Sequence, residues 1–113
     1  MRSLRLISVP ALVALVSSCG AEKLEDHACP TGGTTLTYEN FGRAFFEANC
    51  TYCHGGTKGY SSRSFTNVES IRASRDRIFI NAADDNTTMP PGPDDPAPEE
   101  RRKLGEWLSC GAP

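Results

Sequence analysis

The sequence predicts a small all-α domain of three to five short helices. Apolar residues recur at helical spacing in two stretches, residues 38–49 and residues 98–109. No stretch alternates convincingly between apolar and polar residues, as a half-buried strand would. Segments rich in proline and glycine separate the helical stretches, and no internal repeat is present. We therefore expect one domain in this chain of 113 residues.

Residues 1–18 have the pattern of a bacterial export signal. Arg2 and Arg5 precede an apolar stretch, Leu6 to Val16, which is shorter than the roughly 20 apolar residues of a membrane-spanning helix. Small residues then lead into Cys19, and this junction resembles the lipobox of bacterial lipoproteins. We expect acylation of Cys19 and a lipid anchor on the periplasmic side of the cell envelope. The alternative is an ordinary signal peptide cut nearby.

Residues 19–36 are polar and predict a lipidated tether that leads into a folded domain over residues 37–113. Pro30, Gly32 and Gly33 oppose a helix in this segment. His27 lies in the tether and is expected to be solvated. If Cys29 is bridged to the domain, nine residues stay free, with a reach of at most about 30 Å.

The first predicted helix covers residues 38–49. Thr37 is a suitable N-cap, and Glu39 is favourable in the first turn. The apolar residues of this helix recur at helical spacing and are Phe41, Ala44, Phe45 and Ala48.

Further helices are expected across residues 67–82 and residues 98–109. The first stretch predicts one or two short helices with a break near Ser74. The segment 83–98 contains five prolines and is expected to be irregular. The last helix has a proline and two glutamates in its first turn, and Gly111 ends it. Its apolar face consists of Leu104, Trp107 and Leu108.

The run Cys50-Thr51-Tyr52-Cys53-His54 is typical of a covalent haem c attachment site. Two thiols three positions apart can add to the two vinyl groups of the haem, and the following histidine becomes the proximal iron ligand. A zinc half-site and a thioredoxin-like redox pair are the alternatives. Zinc would need a second pair of ligands, and a thioredoxin-like site would need alternating strands and helices.

Two other cysteines, Cys29 and Cys110, flank the predicted helices. Export permits a disulfide between them, and free thiols are the alternative.

Three motifs resemble the class I cytochromes c over roughly residues 38–110. The first is Gly42-x-x-x-Phe46-x-x-x-Cys50-x-x-Cys53-His54, and the second is Leu104-x-x-Trp107-Leu108. The third, Thr88-Met89-Pro90-Pro91, is similar to the loop that carries the distal methionine. The resemblance implies a cytochrome c fold around one covalent haem, in which the N- and C-terminal helices cross beside Gly42 and Trp107.

Met89 is expected to be the distal iron ligand. Besides the initiator, it is the one methionine of the sequence, and it follows the attachment motif within a proline-rich loop. His27 is the competing ligand. The family's proline after the attachment motif, whose carbonyl holds the proximal histidine, is absent here. We expect a carbonyl in the Gly55–Tyr60 loop to take that role.

These features predict a membrane-tethered electron carrier rather than an enzyme. Its partners would be redox proteins of the cell envelope. The alternatives are a haem subunit of a larger oxidoreductase, a peroxidase, or a sensor with a displaceable distal methionine. Nucleic-acid binding is not expected, because the net charge is −2 and the largest basic cluster, Arg101-Arg102-Lys103, shares its helix with glutamates.

Overall fold

The computed structural model describes residues 20–56, 63–93 and 95–113, and these residues form helices without any strand. The all-α prediction is confirmed. The α-helices are α1 (Arg43–Asn49), α2 (Thr51–His54), α3 (Val68–Ala73), α4 (Arg75–Ala82) and α5 (Pro98–Ser109). A 3-10 turn covers Leu24–Asp26, and a π-helical turn covers Tyr38–Gly42. The predicted export signal and Cys19 lie outside the described residues. Within those residues, no helix has the length and apolar character to cross a membrane.

The N-terminal helical segment begins at the predicted cap. The Thr37 side chain accepts a hydrogen bond from the backbone N–H of Asn40, at 3.1 Å. The Asn40 side chain in turn accepts from the Thr37 N–H at 2.7 Å. This reciprocal pair satisfies two backbone donors at the start of the segment. The segment continues through the π-helical turn into α1, so the helix predicted for residues 38–49 is confirmed.

The later helices also match their predictions. Ser74 separates α3 from α4. Its backbone N–H donates to the Ile71 carbonyl, and this tight turn ends α3. Helix α5 has the predicted bounds, Pro98–Ser109. Gly111 has a φ of +95°, a left-handed conformation that suits glycine after a helix. The Ala112 N–H then bonds back to the Trp107 carbonyl at 2.9 Å.

The core forms where the N-terminal segment packs on α5. Trp107 is fully buried, and its ring lies 6.2 Å, between ring centroids, from both Phe41 and Phe46. A Cβ atom at Gly42 would lie 2.8 Å from two ring carbons of Trp107. The absence of a side chain at Gly42 therefore allows this close contact, as the resemblance implied.

The lead-in packs against the helices, and the expectation of a free, nine-residue tether is wrong. Glu22 exchanges two hydrogen bonds between its backbone and the Asn86 side chain, at 3.2 and 2.9 Å. Leu24 is buried in the core. The imidazole of His27 packs 4.6 Å from the Phe79 ring, between centroids, so the prediction of a solvated His27 is also wrong. The segment contains enough apolar contact surface to dock, despite its polar composition.

A disulfide joins the lead-in to the end of α5. It links Cys29 and Cys110, whose Cα atoms are 4.7 Å apart. The described residues therefore leave Cys50 and Cys53 as the cysteines with free thiols.

Candidate functional site

A cavity of about 430 Å³ lies between the attachment motif and the segment around Met89. Its volume falls within the range of about 300–1,000 Å³ that is common for small-molecule and cofactor sites. The sequence-predicted residues Cys50, Cys53, His54 and Met89 all line it. Most of the remaining wall is apolar and includes Phe45, Phe46, Phe65, Ile78, Ala82, Pro90 and Pro91.

Helix α2 presents the motif's side chains to this cavity. Cys50 ends α1 and begins α2, and its φ of −125° sets a break between the two helices. The His54 N–H bonds to the Cys50 carbonyl at 2.9 Å, so the motif forms one helical turn. Residues three and four positions apart lie on the same face of a helix. This turn therefore brings both thiols and the imidazole to one wall of the cavity.

The His54 ring is oriented by the segment that follows the loop. Its Nδ1 lies 3.2 Å from the backbone carbonyl of Arg63, and a carbonyl can only accept, so Nδ1 is the donor. The ring stacks on Phe65 with centroids 4.6 Å apart, and the Phe65 N–H bonds to the His54 carbonyl at 2.8 Å. The expectation of an acceptor within the Gly55–Tyr60 loop is wrong, because the chain returns to His54 three residues later.

Burial raises the pKa of the Cys50 thiol to about 12, and the nearby Arg101 guanidinium opposes this shift only partly. The thiol therefore stays protonated at neutral pH. A redox-active cysteine reacts as the thiolate, so this environment disfavours a thioredoxin-like pair. The disulfide also removes Cys29 and Cys110 from any zinc site.

Met89 lines the cavity from the irregular segment after α4. Its backbone N–H donates to the Asn81 carbonyl at 2.7 Å. Its side chain is 41% exposed, and with Tyr52 it is one of two large hydrophobic residues exposed within the described parts of the chain. A bound group with an apolar face would cover this thioether and remove its contact with water.

The competing ligand His27 does not line the cavity. Its Nε2 lies 3.4 Å from a Glu22 carboxylate oxygen, and its Nδ1 lies 3.4 Å from Asp84 Oδ2. The two carboxylates thus approach opposite nitrogens of one ring, which suits a hydrogen-bonded ion pair. Burial raises the pKa of Asp84, and His27 opposes that shift.

Outside the attachment motif, the polar residues of the cavity wall are two arginines and two asparagines, namely Arg63, Arg77, Asn49 and Asn81. Arg63 was not predicted from the sequence as a site residue. Phe65 was missed as well, although an isolated aromatic residue in a polar stretch is a usable signal.

The chain matches the model of one protein family. The model described as "Cytochrome C oxidase, cbb3-type, subunit III" matches residues 40–108. The chain belongs to this family. It carries a mono-haem c-type cytochrome domain, its cofactor is covalently bound haem c, and its activity is electron transfer with redox partner proteins. No curated protein and no solved structure matches the chain significantly.

The cavity of this cytochrome fits haem c chemically. Haem has apolar faces, two vinyl groups and an edge with two carboxylates. The aromatic and aliphatic wall suits the faces, the two thiols suit the vinyl groups, and Arg63 and Arg77 suit the anionic edge.

Proposed function

We propose that the protein is a membrane-tethered cytochrome that transfers single electrons through a haem with histidine and methionine ligands. Cys50 and Cys53 would form the thioether bonds, His54 would be the proximal ligand and Met89 the distal ligand. The observation that carries this proposal is the shared cavity, because these four side chains come from two separate segments and line the same space.

The hydrogen bond of His54 supports its role as the proximal ligand. Because Nδ1 donates to the Arg63 carbonyl, Nε2 is the nitrogen for the metal. A ligating histidine normally has such a partner, which fixes the orientation of the ring and increases its electron donation. Stacking on Phe65 restricts the ring further.

Haem supplies the one-electron chemistry, and the protein sets its potential and excludes competing reactions. A thioether from Met89 favours the ferrous state and raises the reduction potential. The apolar walls act in the same direction, because they disfavour the additional charge of the ferric state. With both His54 and Met89 bound to the iron, small ligands would have no open coordination site. This property distinguishes an electron carrier from a peroxidase or a gas sensor.

The anchor and the compartment follow from the export pattern. With acylation at Cys19, the protein is held on the periplasmic side of a membrane, where its partners are envelope redox proteins. Replacing Cys19 by Ser should release the protein into the soluble fraction, whereas Ser18→Ala should leave it on the membrane. Membrane retention of the Cys19→Ser variant would exclude the lipid anchor.

Membership in a larger oxidoreductase is the second candidate. The description of the matching family, an oxidase subunit, favours it. Mild detergent extraction followed by affinity purification distinguishes the two candidates. A stoichiometric oxidase complex supports the subunit, and a monomeric cytochrome supports the separate carrier.

Axial ligation is tested by optical spectra of the purified holoprotein and its Met89→Ala variant. The wild type should have a c-type ferrous spectrum, a weak ferric iron–methionine charge-transfer band and no carbon monoxide binding. Met89→Ala should lose that band and bind carbon monoxide in the ferrous form. Thr88→Ala, an exposed neighbour in the same loop, should match the wild type. An unchanged Met89→Ala spectrum would exclude Met89 as a ligand.

A further inference from the structure

We propose that Arg101 is a positioning residue that holds the loop of the distal ligand against the cavity. The proposal rests on Met89 being that ligand. Arg101 is only 2% exposed, although it belongs to the run of charged residues Arg101-Arg102-Lys103. A buried guanidinium requires polar partners to compensate for its lost hydration, so the partners of Arg101 indicate what it does.

The partners of Arg101 are carbonyl groups of the segment that leads to Met89. Its Nη1 donates to the carbonyls of Ala82, Asn86 and Met89 at 2.9, 3.1 and 2.7 Å. Nη1 has two hydrogens, so the three acceptors share them. These carbonyls come from the end of α4, the middle of the loop and the ligand residue itself. A single nitrogen of Arg101 therefore binds this segment at its start, in its middle and at Met89.

The backbone of Arg101 contributes a fourth contact. Its carbonyl accepts a hydrogen bond from the Asp84 N–H at 3.0 Å. Asp84 has a φ of +50°, so the chain reverses there in a left-handed conformation. Arg101 thus fixes the turn at the start of the loop with its backbone and the end of the loop with its side chain.

Two backbone hydrogen bonds connect Met89 to neighbouring helices. Its N–H is bound by the Asn81 carbonyl, and its carbonyl is bound by Arg101, so the two backbone groups are held from α4 and α5 respectively. Pro90 and Pro91 follow and have no N–H to donate. Without Arg101, the Met89 carbonyl would lose the bond that connects it to α5.

Within the described residues, the charge of Arg101 is compensated mainly by these carbonyls. One carboxylate oxygen, Asp95 Oδ1, lies 3.8 Å from Nη2 and belongs to a half-exposed side chain. Nη2 itself is buried without a hydrogen-bond partner in the described structure. An apolar side chain would avoid this desolvation cost, but it would leave three loop carbonyls without their donor. We infer that Arg101 keeps the loop closed and thereby keeps the Met89 thioether on the iron.

The test compares Arg101→Met, which has a similar length but no donor, with Arg101→Lys, which keeps a charged donor. Arg102→Met is the matched control, because Arg102 is the exposed neighbour on the same helix. The readouts on ferric holoprotein are the affinity for imidazole, which competes with Met89 for the iron, and the charge-transfer band. The reduction potential is the third readout.

Arg101→Met should bind imidazole at least about tenfold more tightly than the wild type, equivalent to about 1.4 kcal/mol. Its charge-transfer band should weaken and its potential should fall. The imidazole affinity of Arg101→Lys should lie between those of Arg101→Met and the wild type. It should differ from the wild-type affinity by at least about threefold. If Arg101→Met does not fold with haem, the comparison between Arg101→Lys and the wild type decides alone.

Met89→Ala separates failure of this proposal from failure of the proposed ligation. If that variant keeps the wild-type band and imidazole affinity, Met89 is not the ligand, and both proposals fail. If Met89→Ala loses the band while the Arg101 variants behave like Arg102→Met, the role of Arg101 alone is overturned.

Discussion

Removing the disulfide between Cys29 and Cys110 should strongly destabilise the folded cytochrome. The two residues are 81 positions apart in sequence. In the chain-entropy treatment, closing a loop of that length restricts the unfolded chain by about 4.5 kcal/mol at 25 °C. Residual compactness of unfolded chains reduces this value. The double variant Cys29→Ser/Cys110→Ser should therefore lose about 2–4.5 kcal/mol of its free energy of unfolding.

The haem does not replace this cross-link. Thioether bonds at Cys50 and Cys53 would close a loop of only a few residues and leave both ends of the domain unconnected. The lead-in would then depend on its remaining contacts, the Asn86 hydrogen bonds and the burial of Leu24. The loss should therefore be measurable in the holoprotein and should not require removal of haem.

The assay is thermal and guanidinium-induced unfolding of the ferric holoprotein, followed by far-ultraviolet circular dichroism. For a domain of this size, the expected loss lowers Tm by about 10–30 °C. In a parallel series on the ferrous holoprotein, thiol reductant added to the wild type should reproduce the effect, because thioether bonds do not exchange with thiols. The same reductant should leave the ferrous double variant unchanged. A loss below about 1 kcal/mol would refute the chain-entropy reasoning for this bridge.

Three further predictions concern single contacts. Gly42→Ala should destabilise the wild type, because overpacking against Trp107 costs about 1–3 kcal/mol. In a Trp107→Phe background, which removes the two contacting ring carbons, the same change should be neutral or stabilising by up to about 1 kcal/mol; equal effects in both backgrounds would exclude the contact. Thr37→Ala should cost about 1 kcal/mol through loss of the cap, while the exposed Thr35→Ala should cost almost nothing, and equal losses would argue against the capping bond. Burial raises the pKa of Asp84, so folding favours its protonated form, and the free energy of unfolding should fall as pH rises from the ordinary to the raised pKa. Asp84→Asn should flatten that dependence in denaturant titrations at several pH values, and an unchanged slope would contradict the shift.

The sequence predicted the helices well because their signals are local. A cap at Thr37, a proline at the start of α5 and a glycine after its end each act within one turn of the chain. The attachment motif is equally local, since its spacing alone brings Cys50, Cys53 and His54 to one face of a helix.

The errors concern contacts between distant segments. Arg101 looks like its neighbour Arg102 in sequence, and only the return of the loop carbonyls makes its burial favourable. The docking of the lead-in depends on Asn86 and Phe79, which follow it by more than fifty positions. The acceptor for His54 lies beyond the loop in which a local argument looked for it. No periodicity or composition encodes these pairings.

The docked lead-in would limit the space that the haem can explore if Cys19 carries the proposed lipid. With a lipid on Cys19, only Gly20 and Ala21 separate the anchor from Glu22, the first residue bonded to the domain. Three Cα steps span at most about 11 Å, compared with about 30 Å for nine free residues, and the accessible volume is smaller by about twentyfold. Under that condition, the protein would meet partners by lateral diffusion in the membrane that holds the lipid. Its effective concentration would therefore be high for neighbours in that plane and negligible for proteins bound to the opposite membrane.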